Sequence, residues 1–151
     1  MVKKKIYVAG PSFSAGEKYE QKLIAYTLKQ NGYETYPVDW ESGGEFNCNL
    51  YQLSLCSGVV ANVNGLEPDA NTAISIALAF AMGKAIVLFK DDTRVLPPAV
   101  SALATVAPVF QFTAIPIALN EALSQTKNSP VEKLNKQLKK AIDKGKKNNK
   151  T

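Results

Sequence analysis

Apolar positions along the chain keep two alternating rhythms. Lys5-Ile6-Tyr7-Val8-Ala9, residues 33–37, Gly58-Val59-Val60-Ala61-Asn62-Val63 and Ala85-Ile86-Val87-Leu88-Phe89 are short apolar runs that read as strands, and 107–112 reads as a fifth. Continuous runs of this kind, unlike alternating ones, suit strands covered on both faces. Between them the spacing turns helical. Over 17–31, Tyr19, Leu23 and Tyr26 recur at i, i+4 and i+7, with Ile24 and Leu28 beside them and Gly32 placed to end the helix. Segments 46–56, 70–82 (closed by Gly83), 99–104 and 113–124 (Pro116 in its first turn) read as further helices. Strand and helix alternate throughout, which places the chain in the α/β class with a parallel sheet and helices on both faces. A doubly wound five-stranded sheet in the order 2-1-3-4-5, flavodoxin-like or Rossmann-like, is the arrangement expected for residues 1–128. Residues 129–151 read as a C-terminal helix over 129–144, with Ser129 as cap, Pro130 at its first position and a Val131, Leu134, Leu138, Ile142 stripe, followed by a frayed tail. There is no internal repeat.

Charge changes the picture in one respect. The net +5 of the 151 residues suggests a nucleic-acid binder until its distribution is examined. From 131 to 151 there are eight lysines and two acids, a net +6, and the other 130 residues carry ten basic and eleven acidic groups, a net −1. The body is close to neutral, so no nucleic-acid partner is expected. The lysine face of the last helix reads as a solvated surface. The apolar run that follows the first lysines is interrupted at Gly10-Pro11, too short for a secretory signal, and no run approaches a membrane span. No membrane partner and a cytoplasmic location are therefore expected.

The side chains available narrow the chemistry further. The chain has no histidine, which removes imidazole both as a ligand and as an acid or base. Cys48 and Cys56 lack the companions of a zinc site and read as inert thiols, so no metal and no cofactor are expected. What remains for catalysis is carboxylates, hydroxyls, lysines and thiols.

In a sheet of this type ligands bind beyond the carboxyl ends of the strands. The segments that reach that edge are Gly10 to Gly16, Val38 to Glu45, and Asn64 to Asn71, and they hold the recognisable residues. Tyr7-Val8-Ala9-Gly10-Pro11-Ser12-Phe13 resembles the Y-x-A-G-P-x-F opening of the nucleoside 2-deoxyribosyltransferase family. Cys56 to Gly65 resembles its segment of an aspartate followed by an apolar strand. Asp69-Ala70-Asn71-Thr72-Ala73-Ile74-Ser75-Ile76-Ala77-Leu78-Ala79 resembles its signature D-x-G-T-x-x-E-x-G-x-A. Gly83-Lys84 and Asp91-Asp92-Thr93-Arg94 fall where the family has a G-K pair and a D-x-R-like turn. The resemblance covers about residues 5 to 95, in order and in register. It implies transfer of 2-deoxyribose between nucleobases through a glutamate that attacks the anomeric carbon, a retaining glycosyl transfer in which nearby acids orient the sugar and protonate the departing base. It also implies a nucleoside or nucleotide as ligand and an assembly of identical chains, a dimer or higher.

The departures from that pattern matter as much as the matches. Ser75 stands at the position of the glutamate nucleophile, Asn49 at that of one acid and Ser57 at that of another, and the signature glycines are Asn71 and Ala77. Asp69 keeps its acid. The nucleoside-binding positions that the resemblance implies are Tyr7, Gly10, Pro11, Phe13, Asp39, Trp40, Asp69, Asn71 and Thr72. Several of the singled-out residues have a plainer alternative. Tyr7 and Phe13 also read as core aromatics, Trp40 as a loop anchor, Asp69 as a helix N-cap, and Ser75 as a serine bonded back to its own helix. A serine nucleophile needs a base, and without histidine none is evident, so transferase activity is expected to be weak or lost. Glu45, Glu67 or a neighbouring subunit remain as sources of a substitute acid. A non-catalytic nucleoside or nucleotide binder is the alternative. A dinucleotide or flavin carrier lacks a G-x-G-x-x-G loop, and the P-G-G-x-G-T-x-x-E motif of the cytokinin-activating phosphoribohydrolases is not present.

Overall fold

The structure, a computed structural model, describes residues 2–37, 49–64, 69–126, 136–137 and 139–140. Strands β1 (Lys5–Ala9), β2 (Glu34–Tyr36), β3 (Gly58–Asn62) and β4 (Ala85–Phe89) form one parallel sheet in the order β2-β1-β3-β4. Register is set by pairs such as Tyr7 with Val59 and Val60 with Val87. The helices are α1 (Ala15–Gln30), α2 (Leu50–Leu55), α3 (Ala70–Ala81), α4 (Pro98–Ser101) and α5 (Ile115–Thr126), the last entered through a 3-10 turn at Phe112–Ala114.

The two-residue period of the strands divides the core in two. Ile6, Val8, Val60, Val87 and Phe89 point to one face and pack against Ile24 and Leu28 of α1 and Ile115 and Leu119 of α5. Tyr7, Ala9, Val59, Ala61, Ile86 and Leu88 point to the other and pack against Leu53 of α2 and Ile76 and Ala79 of α3. β3 and β4 are buried at every position, as their unbroken apolar runs require. Each fully buried Val, Leu or Ile side chain contributes about 1.5–3 kcal/mol. Helices α1 and α3 end as their glycines direct, with Gly32 and Gly83 at φ 87° and 70°.

The expected fifth strand does not form. Only Val109 bridges Phe89, through Val109 N–H to the Leu88 carbonyl (2.9 Å) and Lys90 N–H to the Val109 carbonyl (3.0 Å). Pro108, which lacks an N–H, interrupts the run, and the chain enters the 3-10 turn three residues after Val109. Thr105 takes the next contact along the same edge. Its Oγ1 accepts from Ile86 N–H (2.9 Å) and its N–H donates to the Ile86 carbonyl (2.9 Å). The expected helix over 46–56 is described from Leu50, since 38–48 lie outside the described residues. Of the expected C-terminal helix, residues 136–137 and 139–140 are helical and exposed, and the rest lies outside. Among the described residues no helix is long and apolar enough to cross a membrane.

Candidate functional site

The chain moves from β1 outward to β2 and then back past β1 to β3. The switch point therefore lies between β1 and β3, and its carboxyl edge is the place where open α/β sheets bind ligands, the candidate cleft of this chain. Its walls are the β1–α1 loop, the N-terminus of α3 and, beside β2, the N-terminus of α2.

The first wall is set by a close approach. A Cβ on Gly10 would collide with the carboxamide of Gln21, a fully buried residue of α1 whose Nε2 donates to the Pro11 carbonyl (2.9 Å). Gly10 and Pro11 are both buried, so they shape the loop from below. Phe13, at 79% exposed, is not the core aromatic it could have been. Ser14 and Glu17 then form a complete capping box. Ser14 Oγ accepts from Glu17 N–H (3.1 Å), while Glu17 Oε2 accepts from Phe13 N–H (2.7 Å) and Ser14 N–H (2.9 Å).

The second wall is built on Tyr7. Its hydroxyl accepts from the backbone N–H of Asn49 (3.2 Å), and its ring meets that of Tyr36 at 5.4 Å with a 35° tilt. Asn49 caps α2 through Oδ1, which accepts from Gln52 N–H (3.0 Å), and its Nδ2 donates to the Tyr36 hydroxyl (3.3 Å). Tyr7, Tyr36 and Asn49 are one cluster.

The third wall is the start of α3. Asp69 Oδ1 accepts from Asn71 N–H (2.9 Å) and Thr72 N–H (3.2 Å), and Oδ2 accepts from the Thr72 hydroxyl. The buried face of α3 carries Thr72, Ser75, Ile76 and Ala79 toward the sheet, where Tyr7 also points. Ser75 is 3% exposed, and its hydroxyl donates to the Asn71 carbonyl one turn back (2.8 Å). That is the back-bonded serine, with its proton engaged on its own helix. Ala77 is exposed on the outer face of α3, so it does not crowd the cleft.

Ser57 is not brought to this group. It precedes β3, at the amino edge of the sheet, where its N–H donates to the Lys5 carbonyl (2.8 Å). The strand runs from there to the cleft, so the side chain sits at the wrong end for chemistry at Ser75. Two concavities lie at that same amino edge, of 210 and 350 Å³, with Gly83, Lys84 and Thr126 common to both. No carboxylate lines either, so neither offers the acids of glycosyl transfer. Asp39, Trp40, Glu45 and Glu67 lie outside the described residues. Among the described residues no group of three or more acids or cysteines could hold a metal.

Three site residues were not anticipated. Tyr36 ends a strand at the carboxyl edge, which could have marked it. Glu17 follows Ser14 at the spacing of a capping box, a signal that was present and unused. Glu20 had no such signal. Its Oε2 accepts from Asn62 Nδ2 (2.7 Å) and Asn64 Nδ2 (3.4 Å), and Asn64 Oδ1 accepts from Asp91 N–H (2.9 Å), tying α1 to the loops after β3 and β4.

Comparison with known proteins bears on the family and the fold. The family described as nucleoside 2-deoxyribosyltransferase matches residues 6–144. No curated protein matches the sequence. A conserved protein from Enterococcus faecalis V583 superposes with a TM-score of 0.65 at 16% identity, over 80% of this chain and 99% of that one. A 2-deoxyribosyltransferase from Bacillus psychrosaccharolyticus gives 0.62 at 15% identity, over 74% and 90%. A CMP N-glycosidase from Clostridium botulinum gives 0.52 at 20% identity, over 78% and 99%.

Proposed function

Because this chain belongs to the nucleoside 2-deoxyribosyltransferase family, we propose that its carboxyl-edge cleft binds a nucleoside and that its capacity to exchange bases is weak or lost. The observation that carries this reading is the state of Ser75. A retaining transfer needs a carboxylate to attack the anomeric carbon and to leave again. Ser75 offers a buried hydroxyl already donating to the Asn71 carbonyl, and the chain has no histidine to activate it. Asn49 stands where an acid is implied, and its amide is spent on capping α2 and on Tyr36. Losing such a nucleophile costs on the order of 10⁴- to 10⁶-fold in rate. What survives is the binding frame of Tyr7, Gly10, Pro11, Asp69, Asn71 and Thr72, with Phe13, Asp39 and Trp40 as contacts to a base.

Incubation with deoxyinosine and free adenine, followed by chromatography for deoxyadenosine, tests the chemistry. No product or a trace is expected, while calorimetry registers nucleoside binding. Robust exchange that survives Ser75→Ala would sink the assignment of this site.

The same family membership supports self-association. The outer face of α3 shows Ile74 and Phe80 at 48% and 44% exposure beside Ala77 and Ala81, and the adjacent α2 shows Leu50, Tyr51 and Leu55 at 52%, 69% and 52%. A helix apolar all round buries its second face against a partner, here a second copy of the chain. Light scattering at micromolar concentration is expected to give a dimer or larger. A monomer there overturns it.

A further inference from the structure

The Gly83-Lys84 pair takes no part in the carboxyl-edge cleft. Gly83, in the left-handed region, turns the chain out of α3 at the opposite edge, and Lys84 leads into β4 from there. Both residues, with Thr126, line the two concavities of 210 and 350 Å³ described above. The larger reaches the size at which small-molecule sites begin, roughly 300 Å³. Its wall is cationic. Lys4 and Lys84 line it, and Lys4 makes no ion pair among the described residues. Lys84 Nζ donates to the Ser54 carbonyl (3.0 Å), which fixes the ammonium at the rim. Lys5 and Lys84 both act on the buried Cys56 thiol in the same wall, so their field reaches into it. The Ser57 hydroxyl also lines this wall and makes no hydrogen bond among the described residues. Ser57 stands where the family resemblance implies an acid, and with serine there no carboxylate lines either concavity. The smaller concavity adds an apolar wall of Phe80 (44% exposed), Leu103 and Ala104.

We propose that the amino edge is a second binding site, separate from the cleft, for a small phosphate monoester with a flat apolar body. The phosphate lies on Lys4, Lys84 and the Ser57 hydroxyl, and the body lies against Phe80 and Leu103. Lysine serves phosphate as a point charge, and a dianion between two ammoniums gains from both. Helices α2, α3 and α5 also end at this edge, each contributing about half a negative charge, and Lys4, Lys5 and Lys84 outweigh them. An acid at position 57 would face the phosphate, so serine there is what opens the wall to an anion. This site does not depend on the nucleoside reading of the carboxyl edge.

Fluorescence titration of the full chain with 1-naphthyl phosphate tests this, beside 1-naphthol and inorganic phosphate, which carry the body and the charge alone. The ester is expected to bind at least about tenfold more tightly than either. Ser57→Asp puts a carboxylate into the wall and should weaken the ester at least about 30-fold, whereas Ser57→Ala removes only a hydroxyl and should cost roughly 3- to 5-fold. Lys84→Met should weaken it by roughly 3- to 10-fold. Amide chemical shifts on adding the ester to the unmodified chain locate the site without any variant, and are expected to move at Lys4, Ser57, Gly83, Lys84 and Thr126. Shifts confined to 10–14 would place the ester in the cleft, and shifts confined to 131–151 would place it on the lysine tail. Either result overturns the proposal, as does 1-naphthol binding as tightly as the ester or an affinity indifferent to Ser57→Asp. None of these outcomes touches the nucleoside-binding reading, which the deoxyinosine experiment tests by itself.

Discussion

Helices α2 and α3 start at the same edge of the sheet, each under a side-chain cap, yet the two caps differ in what the fold asks of them. Asp69 uses both carboxylate oxygens, one on two backbone N–H groups and one on the Thr72 hydroxyl. Asn49 uses one oxygen on a single N–H, and turns its amide nitrogen to the Tyr36 hydroxyl. An N-cap needs an acceptor, not a charge, and Asn caps about as well as Asp. At Asn49 the amide satisfies the helix and gains a donor, so the fold does not require an acid there. At Asp69 an amide would leave the Thr72 hydroxyl or an N–H with a poorer partner. The two sites teach that a cap which uses one acceptor is served as well by an amide as by an acid, whereas a cap that uses both oxygens is held to the carboxylate by stability.

The sharpest way to break this comparison is to return the missing charges. Ser75→Glu combined with Asn49→Asp is expected to raise base exchange at least about 100-fold over the unmodified chain, assayed as deoxyadenosine from deoxyinosine and adenine. Ser75→Glu alone should give at most weak transfer, since Asn49 remains neutral. Adding Ser57→Asp should change nothing, because that side chain lies at the amino edge. A rise produced by Ser57→Asp would mean that the two edges are not separate.

The other end of α2 gives the next largest effect. Cys56 closes the helix at 1% exposure, and burial pushes its thiol up to about 11 against the lowering pull of Lys5 and Lys84. In a Cys48→Ser background, alkylation at pH 8 should run about 100-fold slower than for a free thiol, following the smaller thiolate fraction. The folded state holds this proton longer than the unfolded state, so stability from this group is present below pH 9 and falls as pH rises toward 11. Fast labelling at pH 8 would show that α2, with its lighter cap, opens locally.

Smaller effects follow at the caps themselves. Asp69→Ala should cost about 1–2 kcal/mol, seen as a lower Tm in a thermal melt. Asn49→Asp should change stability by less than about 0.5 kcal/mol, because one capping acceptor replaces another. Equal losses at the two positions would erase the difference drawn here.

Much of this was legible in the sequence, and the reasons for the exceptions are local. Strand β4 begins and ends where its apolar run does, and α3 runs from the residue after Asp69 to the turn before Gly83. Continuous apolar runs and helix punctuation are strong short-range signals. The 107–112 segment failed because one Pro108 and the pull toward a 3-10 turn outweighed its apolar, aromatic composition. At the candidate site, Tyr7, Asn49, Asp69 and Ser75 were singled out by the family resemblance, and the fold places them at the carboxyl edge. Ser57 was expected before the third strand and lies there, at the amino edge, so its distance from Ser75 follows from strand direction rather than from the motif. The link between Glu20 and Asn62 spans 42 positions, and no periodicity reports a contact of that range.

The strap over residues 105–109 has a consequence for how the molecule meets its own copies. A parallel sheet ends in two rows of backbone hydrogen-bonding groups, and an open row is a template for runaway strand addition. At β4 the strap engages Ile86, Leu88 and Lys90 from that row, and Pro108 blunts its own outer side. At the far edge β2 is three residues long and shows the charged, exposed Glu34. Among the described residues both borders of the sheet are therefore poor templates for strand addition, so fibrillar growth from either is discouraged.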